Sequence, residues 1–132
     1  MKQPESQLQQ VCVKWFRAQY PRLALSLFAI PNGGHRDKKT VYKKGVPITY
    51  SPTAKRLKDE GALSGVSDLF LAVPKGRWHG AFIEMKYGTN GLSDNQKEFI
   101  NAHKDQYYCV VCWTFEEFVA EVNNYLHQPS QN

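Results

Sequence analysis

Three residues near the middle of this 132-residue chain have types and spacing that could do chemistry together: Asp68, Glu84 and Lys86. Asp68 opens the apolar run Leu69-Phe70-Leu71-Ala72-Val73. Glu84 and Lys86 lie in a second run, Gly80-Ala81-Phe82-Ile83-Glu84-Met85-Lys86, and Pro74-Lys75-Gly76-Arg77 forms a turn between them. Read as strands, the two runs make a hairpin. Strand positions i and i+2 face the same way, roughly 6.6 Å apart, so Glu84 and Lys86 share a face and Asp68 lies on the neighbouring strand. Packing has no use for two acids and a base on an apolar ribbon, whereas a hard divalent cation does. Ions such as Mg²⁺ or Mn²⁺ prefer carboxylate oxygens and keep several waters. Asp68 and Glu84 could hold one, or two about 4 Å apart, and the Met85 backbone carbonyl could add a ligand. Lys86 could orient or deprotonate an attacking water, or stabilise charge developing on a phosphate.

The elements that would position this group read as follows. Glu5 to Tyr20 has apolar residues Leu8, Val11, Cys12, Trp15, Phe16 and Tyr20 at helical spacing, and Pro21 ends it. Leu23 to Ile30 is a short apolar run that predicts a buried strand, and Pro31-Asn32-Gly33-Gly34 breaks the chain after it. The stretch from Thr40 to Tyr50 reads equally as extended or as mobile chain. Ser51-Pro52 opens a short helix that Gly61 ends. Ser93-Asp94-Asn95-Gln96 is a capping box for a helix to about His103, and Thr114-Phe115-Glu116-Glu117 is another for a helix to about His127. Tyr107 to Trp113 lies between them as a strand, and Gln128 to Asn132 reads as a frayed tail. The order predicts one α/β domain over 1–132, a mixed sheet of about four strands flanked by helices. The helix from Ser93 is a crossover that brings the last strand parallel to its neighbour.

Charge and cysteine usage narrow the class. The formal net charge is +5, but residues 35–58 hold eight bases and one acid, so they carry +7 and the remainder is slightly acidic. Lys38, Lys39, Lys43, Lys44, Lys55 and Arg56, with Tyr42 and Tyr50 among them, suit a phosphate backbone as a group. Three cysteines argue against a disulfide framework. Cys109 and Cys112 form a CxxC inside a strand, where they face opposite ways, and so read as core thiols rather than a redox or zinc pair. No apolar run approaches the ~18 residues of a membrane span, and no apolar stretch follows Lys2 as in a signal peptide. A soluble, cytoplasmic protein is expected.

Asp68 followed a strand later by Glu84-x-Lys86 resembles the PD-(D/E)xK nuclease superfamily. The motifs around it are more specific. Glu5, Ile30-Pro31-Asn32-Gly33-Gly34, Ala54-Lys55-Arg56-Leu57, Gly61 to Leu69, Phe82 to Lys86 and Leu92-Ser93-x-x-Gln96 stand in the order of the VRR-NUC family, the virus-type replication-repair nucleases. The resemblance runs from Glu5 to about Leu126 and fits the small standalone form. It implies a restriction-endonuclease-like three-layer fold, with Asp68 and Glu84 as metal ligands, Lys86 as the catalytic lysine, Glu5 as a further acid near the metal and Gln96 as a support for the site. Asn32 and Gly33 fall in the family's PNGG loop and imply DNA contact. Ser67 stands where the family has proline, which removes a fixed φ but no ligand. By resemblance the protein is a Mg²⁺- or Mn²⁺-dependent homodimeric endonuclease of DNA repair, phage or bacterial, cutting branched DNA such as Holliday junctions. The alternatives are a non-cutting DNA-binding module on the same fold, a flap- or end-directed nuclease, and a restriction enzyme.

Overall fold

The computed structural model describes residues 3–31 and 39–130. Asn32, Gly33, His35 and Lys38 lie outside the described residues. The chain opens with helix α1 (Gln3–Gln19) and continues through strands β1 (Leu27–Ala29), β2 (Lys39–Lys43) and β3 (Val46–Tyr50) to helix α2 (Pro52–Asp59). Strands β4 (Leu69–Leu71) and β5 (Ala81–Met85), helix α3 (Asp94–His103), strand β6 (Tyr108–Cys112) and helix α4 (Phe115–Leu126) complete it. Four strands form one mixed sheet in the order β1-β4-β5-β6. β4 is antiparallel to β1 and β5, and β6 is parallel to β5, reached through α3 as a crossover.

Strand alternation divides the sheet's two faces. Leu27, Leu69, Leu71, Ala81, Ile83 and Met85 are buried with Cys12 and Phe16 of α1 and Phe118, Val122 and Tyr125 of α4. On the other face Phe28, Phe70 and Phe82 stand in register across three strands. Phe82 packs against Phe99 of α3 at 5.0 Å and His103 at 5.4 Å between ring centroids. Helices therefore cover both faces of the sheet, as a three-layer α/β fold requires. Glu84 follows Phe82 by two, so it belongs to the α3 face.

Several local expectations are corrected. The strand expected over Leu23–Ile30 is a 3-10 helix over Pro21–Ser26 that becomes β1 only at Leu27. β4 is three residues long and offers partners only to Leu27, Phe28 and Ala29, so the preceding residues gain no ladder by extending. On α1, Val11 is exposed and Val13 packs against the core in its place. His103, in the last turn of α3, stacks on Phe99 at 4.2 Å, and its Nδ1 lies 2.7 Å from the Phe99 carbonyl.

The stretch left open by sequence, 40–50, is a β-hairpin. β2 and β3 pair antiparallel from Lys39↔Tyr50 to Lys43↔Val46, in a sheet of their own. The connection is the two-residue turn Lys44-Gly45, with φ of 52° and 78°, the type I′ geometry that matches strand twist. The three cysteines are free thiols. Burial raises those of Cys12 and Cys112 to about 12 and Cys109 to about 11, far from thiolate reactivity. Among the described residues no helix is long and apolar enough to cross a membrane.

Candidate active site

Three acids from three separate elements meet at one edge of the α3 face. Carboxylate oxygens of Glu5, Asp68 and Glu84 lie within 4.8 Å of one another. Glu5 is in the first turn of α1, where an acid also suits the helix dipole. Asp68 immediately precedes β4, and its carbonyl accepts from the Ile30 N–H at 2.8 Å, tying it to the end of β1. Its side chain accepts from the Met85 N–H at 2.7 Å. In an extended strand the N–H and C=O of one residue point to the same side, so the Met85 carbonyl turns toward Asp68 as well. Gln96 also reaches Glu84: its Nε2 donates to Glu84 Oε2 at 3.1 Å.

Gln96 performs two tasks with one amide. Its Oε1 accepts from the Ser93 N–H at 2.8 Å while its backbone N–H donates to Ser93 Oγ at 3.2 Å, the capping box expected from sequence. That box fixes the rotamer and leaves the amide NH₂ facing Glu84. The start of α3 is itself held close to the approach to Asp68. Asn95 Nδ2 donates to Ser64 Oγ at 3.1 Å. A Cβ on Gly65 would come within 2.5 Å of the Asn95 backbone, and Gly65 has φ +92°. Ser64, Gly65 and Asn95 were not singled out by sequence reasoning. The only signal available was a glycine three residues before Asp68, and nothing local identifies its partner.

The electrostatics are those of crowded, dehydrated acids. Glu84 is 3% exposed. Burial first, then the neighbouring Asp68 charge, push its carboxyl up to about 9, with Glu5 adding to the rise and Lys86 opposing it. Burial also raises Asp68, against the Met85 N–H, the Glu84 carboxyl and the Lys86 charge, all of which favour ionisation. Glu84 Oε1 is buried with no hydrogen-bond partner, an expensive state for a carboxylate oxygen unless a proton or a cation answers it. Lys86 is nearly buried beside these acids. Among the described residues the one ion pair within 4 Å is Lys55–Asp59, so the Lys86 ammonium is not locked to a carboxylate.

This donor set fits a hard divalent cation. It is all oxygen, it carries excess negative charge, and one buried oxygen is unpartnered. Oxygens on opposite sides of a Mg²⁺ stand about 4.2 Å apart, twice the ~2.1 Å bond, which is close to the spread of the three carboxylates. The structure thus brings Glu5, Asp68, Glu84, Met85, Lys86 and Gln96 into one place. Of the basic residues, Lys39, Lys43 and Lys44 are on the exposed hairpin, and Lys55 and Arg56 are exposed on α2, where Lys55 pairs with Asp59 at 2.7 Å.

A mixed α/β/α sandwich with an acid before one strand and an acid-x-lysine on the next defines the nuclease class first expected from the motif. The VRR-NUC domain model matches residues 3–122, and the chain belongs to the VRR-NUC family. A solved structure described as a VRR_NUC domain protein superposes with a TM-score of 0.74 at 22% identity, covering 97% of this chain and 92% of that one. At that identity it supports the fold. No curated protein matches the chain.

Proposed function

We propose that the protein is a Mg²⁺- or Mn²⁺-dependent endonuclease that hydrolyses DNA phosphodiesters, acting as a homodimer on branched DNA such as Holliday junctions. The observation that carries the chemistry is the buried Glu5–Asp68–Glu84 cluster with its unpartnered Glu84 oxygen and an unpaired lysine beside it. Asp68, Glu84 and Glu5, with the Met85 carbonyl, would hold the ion. When bound, the ion supplies charge neutralisation at the phosphate and lowers the pKa of water. Gln96 keeps Glu84 Oε2 occupied, so that Oε1 is the oxygen presented to the ion. Lys86, on the Glu84 side of β5, positions the attacking water and neutralises charge on the phosphate oxygens. Exposed lysines outside the site hold the backbone without reading bases. Branched DNA and the homodimer come from the family resemblance, and a two-fold dimer would offer two sites to two symmetric strands.

Cleavage of labelled four-way junction, flap, single-stranded and linear duplex DNA tests this, in Mg²⁺, Mn²⁺ or EDTA, with Lys86→Ala and Glu84→Ala beside the parent. Metal-dependent junction cutting lost in both variants is the expected result. Preference for flaps or ends would keep the chemistry and replace the substrate. DNA binding with no cutting in either metal would leave a binding module.

A further inference from the structure

Among the described residues, nothing buries the β2–β3 hairpin. Every residue from Lys39 to Tyr50 is exposed, and the two strands form a sheet of their own. An isolated hairpin is marginal in water, so its regular pairing asks what it is built to meet. It contains three lysines and no acid. Its two faces differ. Val41, Val46, Ile48 and Tyr50 share one face with Lys39 and Lys43, and Thr40, Tyr42, Pro47 and Thr49 share the other. Thr40 and Thr49 hydroxyls bond across the strands at 3.2 Å, and Tyr42 beside them is 72% exposed. At the tip, Lys44 occupies a left-handed conformation that asparagine or glycine adopts more readily. Backbone strain retained at an exposed position points to the side chain's use, here a positive charge at the hairpin's end.

We propose that this hairpin is an arm that enters a DNA groove, with Lys39, Lys43 and Lys44 on phosphates and Tyr42 stacked on a base face left uncovered at a branch point. The inference rests on the reading of the protein as a DNA-cutting enzyme, and extends it by naming the element that favours branched over continuous duplex. A two-stranded ribbon fits the major groove, and stacking on an aromatic ring tolerates any base. The apolar face then meets deoxyribose and thymine methyl groups. A second copy of the chain suits that face less well. A two-fold contact through it would place Lys39 and Lys43 of one copy near those of the other, with no acid on either hairpin.

Binding is measured by fluorescence anisotropy in EDTA, where nothing is cut, on a four-way junction and a linear duplex of equal arm length. Lys44→Asn keeps the turn geometry and removes the charge. It should weaken both DNAs to a similar degree, lower the log–log salt slope by about one, and leave Tm unchanged or higher. Tyr42→Ala should weaken the junction by about fivefold or more beyond its effect on duplex, and Tyr42→Trp should restore the preference. Hydrolysis of bis(p-nitrophenyl) phosphate by the parent is measured separately, in Mg²⁺, Mn²⁺ or EDTA. Affinities within about twofold of the parent in both Tyr42→Ala and Lys44→Asn would overturn the arm. So would Ile48→Asp converting a dimer to a monomer with DNA affinity intact, which would assign the hairpin to the subunit contact. Absence of metal-dependent hydrolysis in the parent would instead overturn the nuclease reading, and leaves the binding comparison standing.

Discussion

At the scale of single residues, the site is defined by a charge that the fold makes hard to keep. Glu84 is ordinary at 4.5 and raised to about 9 in the folded chain. For an acid shifted upward, no penalty exists below the unfolded value. The penalty grows as pH rises from about 4.5 toward about 9, because the unfolded chain has released a proton that the native chain still holds. Without metal, stability should therefore fall across that window, by up to about 1.4 kcal/mol per pH unit for one proton. Glu84→Gln removes the titration while keeping the shape. Urea unfolding in EDTA at pH 5.5 and pH 8 should show a flatter dependence in that variant, and Mg²⁺ at pH 8 should raise the parent's Tm but not the variant's. Equal slopes in the two proteins would mean that the Glu84 proton does not set the dependence. Gln96 carries a second residue-level prediction. Gln96→Glu can still accept from the Ser93 N–H and so keeps the cap, but it replaces the donor to Glu84 with a fourth acid. Tm at pH 5.5 should stay near the parent's, while Mg²⁺-dependent cleavage falls by tenfold or more, about 1.4 kcal/mol at the transition state. Loss of both together would reduce Gln96 to a helix cap.

At the scale of elements, the site depends on how closely α3 approaches the chain leading into β4. Gly65 permits that approach. An alanine there would place its Cβ 2.5 Å from the Asn95 backbone at a φ of +92°, a conformation unfavourable to any L side chain. Gly65→Ala should destabilise by roughly 2 kcal/mol or more. It should also weaken Mg²⁺ stabilisation, since Gln96 follows Asn95 directly and moves with it. Denaturant unfolding with and without Mg²⁺ checks both parts. A loss of stability with the Mg²⁺ response intact would show that the glycine serves packing alone. By contrast Gly45, also at positive φ, has no atom within 4 Å of its Cβ position, so substitution there strains the turn and leaves the site untouched.

At the scale of the whole molecule, the cluster is held by one core. α1 supplies Glu5 at its start and Cys12 and Phe16 to the interior, where they share a cluster with β4, β5 and α4. Further ties bind α4 to the rest: the Tyr125 hydroxyl donates to the Val73 carbonyl at 2.6 Å, Tyr20 and Asn123 hydrogen-bond across α1 and α4, and the Tyr108 hydroxyl reaches Glu121 at 2.6 Å. Phe16→Ala should cost about 3–5 kcal/mol and weaken Mg²⁺ binding along with it, because α1 cannot loosen without withdrawing Glu5. Calorimetric titration at a temperature where the variant is still folded measures the second effect. Unaltered Mg²⁺ affinity there would show that Glu5 takes no part in holding the ion.

Local chemistry determined much of this from the sequence alone. Helix limits at Ser93 and Thr114 follow from side chains that cap their own backbone. The facing of Glu84 and Lys86 follows from a strand's two-residue period, and the family motifs lie within reach of one another along the chain. What adjoins what across the fold was decided elsewhere. The meeting of Glu5 with Asp68 and Glu84, the Gly65–Asn95 contact and the turn of the Gln96 amide toward Glu84 each join elements far apart in sequence, so no local spacing records them. The same holds for one segment read as a strand and one left open. Leu23–Ser26 is apolar enough for a strand but lacks a partner, because β4 is short. Thr40–Tyr50 has too little apolar surface to declare a core, and becomes a hairpin through the pairing of its own two halves. A strand exists only where another strand meets it, and that is a property of the tertiary structure.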